Sequence, residues 1–287
     1  MSGARPSGAG GGGARPPSPD TPPLVVVRGG GDLGTGVAHA LCGAGYRVLV
    51  LETDRPRAVR RAAAFAEAVY AGRAVVEGVE AILVPTPRAA SALGGGALPV
   101  AVDPEGALVR SLRPAAVVDA RMAKRNLGTS RADAPVTIAL GPGFEAGRDV
   151  DVVIETNRGP AMGSVIERGA AEPDTGVPGE LGGVALERLL RAPASGEFRA
   201  TRRIGDLVRE GDVVGAVGGA PVAARISGVL RGLAADGLPV ASGQKVGDVD
   251  PRGAEVDATL ISDKARAVGR AVLAALRARG VAPKAAG

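Results

Sequence analysis

The stretch LVVVRGGGDLGTG, residues 24–36, joins an apolar run to a glycine-rich turn and the start of a helix-like segment. Residues 24–27 are β-branched or aliphatic and end close to a glycine, which predicts a strand buried on both faces. Residues 35–44 have helical composition and end before another glycine, as helices commonly do. Residues 46–51 predict a second buried strand, which closes with Glu52. The stretch therefore predicts a strand, turn, helix and strand in succession.

The glycines of this turn have the spacing G-x-G-x-x-G found in dinucleotide-binding folds. In that motif the first glycine makes the tight turn, the second admits the pyrophosphate, and the third brings the helix close to the strand. Helix N–H groups would face the anion, and an acid about 20 residues further on would accept the ribose hydroxyls. The predicted cofactor-binding residues are Gly29, Gly30, Gly31, Asp32, Gly34 and Glu52.

A purely structural role for the same turn is the alternative, because many such turns bind nothing. Asp32 lies inside the loop, where its charge would repel a phosphate unless it points away or pairs with Arg28. The sequence leaves both roles open.

Further short apolar runs at 81–84, 99–102 and 115–118 alternate with helix-compatible segments. This alternation is typical of a parallel sheet with right-handed crossovers. The predicted fold class is α/β: a Rossmann-like parallel sheet domain, a small all-β barrel-sandwich-like domain and a C-terminal helix.

A second glycine-rich loop, residues 141–147, lies in the middle of the chain between two runs that predict buried strands. Polar residues flank it at strand ends, where α/β sheets usually build their sites. These residues could form an anion or substrate loop, and ordinary surface turns are the alternative. The candidates are Lys124, Asn126, Gly141, Gly143, Phe144, Glu155, Asn157 and Arg158.

The last third contains an internal repeat, because the segment from Ala192 aligns with the segment from Ala224 at a shift of 32 residues with ten identities. Glycines and valines in step predict turns and half-buried strands. Two such halves would form a small pseudo-twofold β-sandwich. A final helix is predicted from an N-cap at Ser262 to about Arg279.

Composition argues against several classes of function. The chain of 287 residues has no Trp, two Tyr and three Phe, so stacking surfaces for single-stranded nucleic acid are scarce. The net charge of +5 comes from scattered arginines, and we predict no nucleic-acid partner. One Cys and one His are too few for a zinc site, so we predict no metal. No apolar run approaches the ~20 residues of a membrane span, which predicts a cytoplasmic protein without membrane association.

Domain boundaries follow from these patterns. Residues 1–23 predict a disordered tail without the apolar core of a signal peptide. The remaining predictions are a nucleotide-binding domain over 24–128, a glycine-loop and strand region over 129–185, a β-domain over 186–251, and a helix and tail over 252–287.

Long motifs in this order resemble those of the selenium-dependent molybdenum hydroxylase system protein family (YqeB-like). They include RGGGDLGTGVAHAL, GPGFEAGRDVDVVIETNRG, IGDLVREGDVV and ISDKARAVG. The resemblance runs from about Leu24 to Leu276. It implies an accessory or maturation factor that docks the apo-enzyme of a molybdenum hydroxylase, with a Rossmann domain distantly similar to XdhC-type maturation factors.

The ligand implied at the glycine turn is a dinucleotide, NAD or NADP, or the nucleotide-like part of molybdenum cofactor. The repeat resembles the biotinyl/lipoyl barrel-sandwich family, but the joint between its halves, residues 217–222, has no lysine, so covalent biotin or lipoate is not expected. An NAD(P)-dependent oxidoreductase and a non-enzymatic scaffold with an empty Rossmann turn are the alternatives. No catalytic residue can be assigned. Cys42 lies three residues after His39, a spacing that puts both on one face of a helix. The sequence allows two interpretations of Cys42, a reactive thiol or a packed apolar side chain.

Overall fold

The computed structural model describes residues 21–174, 176 and 179–284. The predicted tail lies almost wholly outside the described residues. Eleven strands precede the repeat region. They are β1 (Leu24–Arg28), β2 (Arg47–Glu52), β3 (Arg73–Val76), β4 (Val79–Leu83), β5 (Leu98–Val102), β6 (Ala116–Asp119), β7 (Val136–Leu140), β8 (Glu145–Ala146), β9 (Val152–Ile154), β10 (Val165–Ile166) and β11 (Gly169–Ala170).

Nine of these strands form one sheet in the order β10-β9-β7-β6-β1-β2-β5-β4-β3. The seven inner strands run parallel, and the edge strands β10 and β3 are antiparallel to their neighbours. β1 is buried along its whole length at the centre, as its continuous aliphatic run predicts. β8 and β11 pair separately as a short ribbon.

Helices cover the faces of this sheet. They are α1 (Asp32–Gly43), α2 (Ala68–Ala71), α3 (Ala89–Ala92), α4 (Ala107–Leu112) and α5 (Asp263–Ala278). α5 begins at Ser262, whose hydroxyl accepts the Ala265 N–H, so the N-cap predicted from the sequence is confirmed. α1 and α5 touch through their backbones, because a Cβ on Gly36 would overlap the Ala265 carbonyl and a Cβ on Gly269 would overlap the Gly36 carbonyl. The C-terminal helix is therefore part of the first core.

The repeat region contains two four-stranded antiparallel sheets, in the orders β12-β19-β17-β14 and β16-β15-β13-β18. A core around Phe198, Leu230 and Val249 lies beneath them. The strands are β12 (Leu189–Arg191), β13 (Gly196–Ala200), β14 (Leu207–Val208), β15 (Val213–Val217), β16 (Ala220–Ala223), β17 (Gly228–Leu233), β18 (Pro239–Val240) and β19 (Lys245–Asp250).

The predicted fold class is wrong in its architecture. The large sheet is mixed, because the short strands β3 and β10 close its edges in the antiparallel sense. It also continues past residue 128 through β7, β9 and β10. Two antiparallel sheets replace the single barrel-sandwich-like domain, because β14 pairs with β17 and β18 with β13, so each half of the repeat contributes to both sheets.

Within the described ranges, no helix combines the length and the apolar composition needed to cross a membrane.

Candidate functional site

Contacts within the chain enclose Gly30 in the turn after β1, whereas a Cβ on Gly31 would meet only Ala58, at 3.8 Å. The Gly30 N–H donates to Glu52 Oε1 at 2.6 Å, and the Gly30 carbonyl accepts from the Ala66 N–H at 2.9 Å and from Thr35 Oγ1 at 2.9 Å. Thr35 Oγ1 in turn accepts the Phe65 N–H at 2.9 Å. The segment around residues 65–66 therefore lies directly against the turn.

The spacing of the glycines in this turn has a packing explanation. A Cβ on Gly34 would overlap the Gly29 carbonyl, and Gly29 itself has a φ of 99° and lies against the Ala120 backbone. A Cβ on Gly30 would meet Val50 and Ala66 at 2.9–3.0 Å. Close contact within the chain thus requires these glycines whether or not a ligand binds.

Glu52 faces the turn and not an open crevice. Besides the Gly30 N–H, its carboxylate accepts the Thr53 N–H at 3.0 Å. Burial raises the pKa of Glu52 and outweighs the two N–H donors, which lower it. Dinucleotide binding by the predicted residues stays a prediction.

Asp32, at the start of α1, pairs with Arg60 and not with Arg28. Arg60 Nη1 donates to Asp32 Oδ1 at 2.6 Å, and Ser262 Oγ donates to Asp32 Oδ2 at 3.3 Å. Arg28 instead donates to Thr129 Oγ1 at 2.9 Å and to the Pro104 carbonyl at 3.0 Å. Asp32 therefore connects α1 to the first residues of α5 and to a neighbouring cavity.

This cavity has a volume of about 440 Å³ and lies at the carboxyl end of the parallel strands. The loops after β6, β7 and β9 contribute to one wall, and the first turn of α5 lies beside them. Residues of β12, β17 and β19 supply the opposite wall. Open α/β sheets commonly bind ligands outside the carboxyl ends of their strands, so this position favours a ligand site.

Positive charge dominates the lining of the cavity. Among the described residues, eight Arg and Lys side chains and four Asp and Glu side chains line it, a formal excess of four positive charges. The arginines are Arg60, Arg158, Arg188, Arg191 and Arg231, and the lysines are Lys124, Lys245 and Lys264. Such a wall attracts anions because it has more cations than acids to neutralise them.

Most of the acids are engaged by individual cations. Arg188 Nη1 donates to the buried Asp248 at 2.5 Å, and Lys124 pairs with Asp174. Arg158, which lines the cavity, makes a bidentate pair with Asp263, an acid outside the lining, and both contacts measure 2.8 Å.

Three of the lining arginines have a buried donor with no partner. The Nε atoms of Arg60, Arg188 and Arg231 are buried and make no hydrogen bond within the described part of the chain. Buried polar groups are normally satisfied, so three unsatisfied donors on one cavity are unusual. These N–H donors belong to positively charged guanidinium groups, and an anionic group could accept hydrogen bonds from them.

Burial and charge repulsion weaken proton binding on the cationic side chains. Burial, together with the nearby Arg60 charge, lowers the pKa of Arg231, although Asp250 opposes the shift. Burial also lowers the pKa of Lys245. The pKa of Lys264 is lowered by burial and by the Arg158 charge, against the opposing charges of Asp32 and Glu155. Burial thus disfavours the positive charges of Arg231, Lys245 and Lys264, whereas the hydrogen bond from Arg158 to Asp263 raises the pKa of Arg158.

The structure brings together only some residues of the predicted anion loop. Lys124, Asn157 and Arg158 line the cavity. Phe144 is buried in a small apolar core, and Asn126 holds its own loop by accepting the Gly128 and Thr129 N–H groups.

Other members of that predicted loop shape the backbone around the cavity. Buried Glu155 accepts the N–H groups of Thr156, Asn157 and Glu172. Gly141 lies against Thr156, and a Cβ on Gly143 would overlap the backbone of Lys124 and Arg125.

The loop that carries Lys124 is held in a strained conformation. Met122 and Lys124 have φ values of 54° and 60°, in the left-handed region that non-glycine residues rarely adopt. Gly143, with a φ of 103°, lets the second loop pack directly on this backbone. Strain of this kind persists only where the surrounding structure holds it, and it clusters at functional sites.

Cys42 is not an activated thiol. Its side chain is half-buried, and burial raises the pKa of Cys42 to about 11. His39 contacts the Glu77 carbonyl at 3.3 Å. The packed interpretation of this cysteine is the one that the structure supports.

Comparison with known proteins gives one close sequence relative. The chain is 50% identical over 252 residues to the uncharacterized protein YqeB of Escherichia coli K12, an alignment that covers 88% of this chain and 47% of the relative. The chain is YqeB-like over this segment. It spans about half the length of that relative. No protein-family model matches the chain. The YqeB-like resemblance predicted from the sequence is confirmed, whereas the XdhC-like and barrel-sandwich resemblances have no support in these comparisons.

The similar solved structures carry acylase-family and desuccinylase-family names. An aspartoacylase family protein from Mesorhizobium loti is 14% identical, with a TM-score of 0.27 and coverage of 79% of this chain and 84% of that chain. A succinylglutamate desuccinylase/aspartoacylase from Rhodobacter sphaeroides is 18% identical, with a TM-score of 0.25 and coverage of 80% and 85%. At these TM-scores the likeness transfers no activity to this chain.

The predicted function has no support among these neighbours. They are acylase- and desuccinylase-family proteins and not molybdenum hydroxylase maturation factors or NAD(P)-dependent oxidoreductases. The predicted maturation role, its selenium dependence and the NAD(P)-dependent oxidoreductase alternative are wrong. The alternative of a non-enzymatic scaffold stays a prediction.

Proposed function

We propose that the protein binds a small multiply charged anion, carrying phosphate or carboxylate groups, in the cavity at the carboxyl end of the parallel strands. The observation that carries this proposal is the set of three buried Nε donors, on Arg60, Arg188 and Arg231, that have no hydrogen-bond partner among the described residues. All three arginines line the same cavity.

The energetics favour an anion over a neutral ligand. An ionised group taken out of water costs free energy unless it is paired. Eight cations and four acids line this cavity, and Asp263 and Asp250 pair with Arg158 and Arg231 from outside the lining, so two cations remain in excess. Guanidinium groups present their N–H donors in a planar fork that matches carboxylate and phosphate oxygens. An entering anion would satisfy the free donors and neutralise the excess charge together.

The size of the cavity supports a small molecule. Ligand sites for small molecules usually measure about 300–1,000 Å³, and this cavity measures about 440 Å³. Its charged groups lie on both walls, so a ligand with two anionic groups would bridge the sheet side, through Arg158 and Lys264, and the β-domain side, through Arg188 and Arg231. We therefore expect pyrophosphate or a dicarboxylate to bind more tightly than a single phosphate.

Calorimetric titration of the full chain with inorganic phosphate and pyrophosphate tests this function. The informative variant is Arg231→Met, which keeps an apolar side chain of similar length and removes the guanidinium. Asp250, its partner at 3.4 Å, retains Arg252 at 2.8 Å, so the variant leaves no acid unpaired. A charge-assisted hydrogen bond contributes about 1.5–3 kcal/mol, so the affinity for pyrophosphate should fall about 10- to 100-fold.

The matched control is Arg225→Met, which removes an exposed guanidinium outside the cavity. We expect it to bind pyrophosphate as the wild type does. Binding should also weaken as salt rises, because screening acts on the attraction between the charges. Equal losses in the two variants, or no heat of binding for either anion, would contradict the proposal.

A further inference from the structure

Lys264 differs from the other lysines of the cavity. It is the second residue of α5, lines the cavity and is half-buried. It makes no hydrogen bond or ion pair with any described residue, whereas Lys124 pairs with Asp174 and Lys245 lies 4.0 Å from Asp248. Lys264 is therefore the cavity amine without an acid partner in the described part of the chain.

The acids nearest to Lys264 are committed elsewhere. Asp32 accepts from Arg60 and Ser262, and Asp174 pairs with Lys124. Glu155 is buried and accepts three backbone N–H groups. The charged group that opposes Lys264 from the adjacent loop is Arg158, which itself pairs with Asp263. These arrangements leave the amine without a neutralising carboxylate.

The position of Lys264 in its helix adds a second, independent disadvantage for its positive charge. Cations in the first turn of a helix are disfavoured because the N-terminus carries partial positive charge. Burial and the Arg158 charge lower the pKa of Lys264 in the same direction. A larger fraction of this amine is therefore uncharged, and hence nucleophilic, near neutral pH than for an ordinary lysine.

We infer that Lys264 forms an imine with an anionic aldehyde or keto acid, whose carboxylate or phosphate is held by the neighbouring arginines. This inference rests on the proposed function, because the same cations that bind the anion would hold the carbonyl carbon beside Lys264. It names the substrate class of that site: small carbonyl compounds that carry a negative charge.

The step needs no oxidant or metal. The uncharged Nζ adds its lone pair to the carbonyl carbon, and a proton moves from nitrogen to oxygen to give a carbinolamine. Loss of the hydroxyl as water then gives the imine, which gains a proton to become a cationic iminium. The reaction is reversible, so trapping it requires a hydride donor in the test.

Reductive trapping with glyoxylate and cyanoborohydride tests the inference on the full chain. The chain has only four lysines, Lys124, Lys245, Lys264 and Lys284, so peptide mapping assigns each adduct to one residue. We expect Lys264 to gain the carboxymethyl adduct faster than the other three lysines at pH 7. Pyrophosphate should slow labelling of Lys264 and leave the others unchanged. Glycolaldehyde, which has no anionic group, should lose this selectivity.

Two variants make the result decisive. Lys264→Arg keeps the positive charge and removes the primary amine, so the selective adduct should be lost. Lys284→Arg, at a residue outside the cavity lining, should leave the adduct on Lys264. Glyoxylate labelling of Lys264 no faster than of Lys124, with pyrophosphate binding intact, would overturn the imine and leave the proposed function standing. Failure of pyrophosphate to bind would overturn the proposed function itself. Binding of pyrophosphate that leaves the labelling of Lys264 unchanged would overturn the inference about Lys264.

Discussion

The glycine turn and the cavity lie side by side at the same edge of the sheet, yet they treat their polar groups in opposite ways. In the turn, the Gly30 N–H and carbonyl both have partners within the chain, and residues 65–66 cover them. In the cavity, Arg60, Arg188 and Arg231 keep buried donors without partners. A ligand site is thus indicated by unsatisfied donors more than by glycine spacing.

Asp32 shows how closely the two regions are connected. It begins α1 in the turn, and its carboxylate accepts from Arg60 on the cavity wall. A negative charge already lies at this helix start, where a phosphate would be placed in a nucleotide site. The anion-binding capacity therefore lies on the cavity side of Asp32.

The largest expected effect concerns packing in the turn. In Gly34→Ala the new Cβ would overlap the Gly29 carbonyl, which is backbone and cannot move aside. We expect the free energy of unfolding to fall by about 4 kcal/mol, measured by urea denaturation. Addition of pyrophosphate should not restore the lost free energy of unfolding. Gly43→Ala in the same helix is the control, because its Cβ meets nothing within 4 Å, and it should be neutral or slightly stabilising. A small loss in Gly34→Ala would show that the turn is not tightly closed.

The next effect concerns the cavity wall. Asp248→Asn removes the charge that pairs with Arg188 and leaves that guanidinium buried and unneutralised. Removing one partner of a buried pair costs about 3 kcal/mol or more. Pyrophosphate should restore more stability to this variant than to the wild type, as measured by thermal unfolding with and without the anion. The same rise in both proteins would mean that the anion binds elsewhere.

A smaller effect on stability concerns Glu52 and tests whether its carboxylate supports the turn. Glu52→Gln replaces one of the two oxygens that accept from the Gly30 and Thr53 N–H groups with an amide NH₂, which cannot accept, and should lower the free energy of unfolding by about 1 kcal/mol at acidic pH. Because the folded protein raises the pKa of Glu52, the wild type loses stability as pH rises from the usual glutamate range through the raised value. The variant lacks this loss, so its deficit should shrink as pH rises. Urea unfolding between pH 4 and pH 8 measures the difference in the free energy of unfolding between the variant and the wild type. A deficit of the variant that grows with pH would contradict this prediction.

The smallest expected effect is a gain in stability. Lys264→Gln removes an unpaired cation from the first turn of α5 and should raise the free energy of unfolding by about 0.5 kcal/mol at pH 7. Because folding lowers the pKa of Lys264, the wild type recovers stability as pH rises from that lowered value toward the ordinary lysine range. The gain should therefore narrow at alkaline pH. A loss of stability at pH 7 would indicate that the lysine has a stabilising partner.

The sequence predicted the elements that local patterns determine. The aliphatic run before Arg28 and the Ser262 cap appear where the spacing placed them, because neighbouring residues set each of them. The first helix begins at Asp32, three residues before its predicted start, so Gly34 of the predicted turn lies in the helix. The antiparallel edges were missed, since β3 and β10 are only four and two residues long. Such short strands owe their direction to pairing with neighbours and not to their own composition.

The cavity could be predicted only in part. Lys124, Asn157 and Arg158 follow buried strands, so their placement at a sheet edge was recognisable. Arg60, Arg188 and Arg231 come from segments far apart in the chain and look like ordinary members of a scattered arginine population. Only the packing of β12, β17 and β19 toward the sheet brings them together. No local signal marks a guanidinium that will lack a partner.

NMR of protein labelled with ¹⁵N-arginine and ¹⁵N-glycine, titrated with pyrophosphate, compares the two regions in one sample. We predict that the Nε–H signals of Arg60, Arg188 and Arg231 shift together and saturate at one concentration, as their free donors gain an anionic partner. The Gly30 amide, already bound to Glu52, should stay in place. Shifts at Gly30 and its neighbouring glycines, with the three Nε–H signals unchanged, would contradict the assignment of anion binding to the cavity.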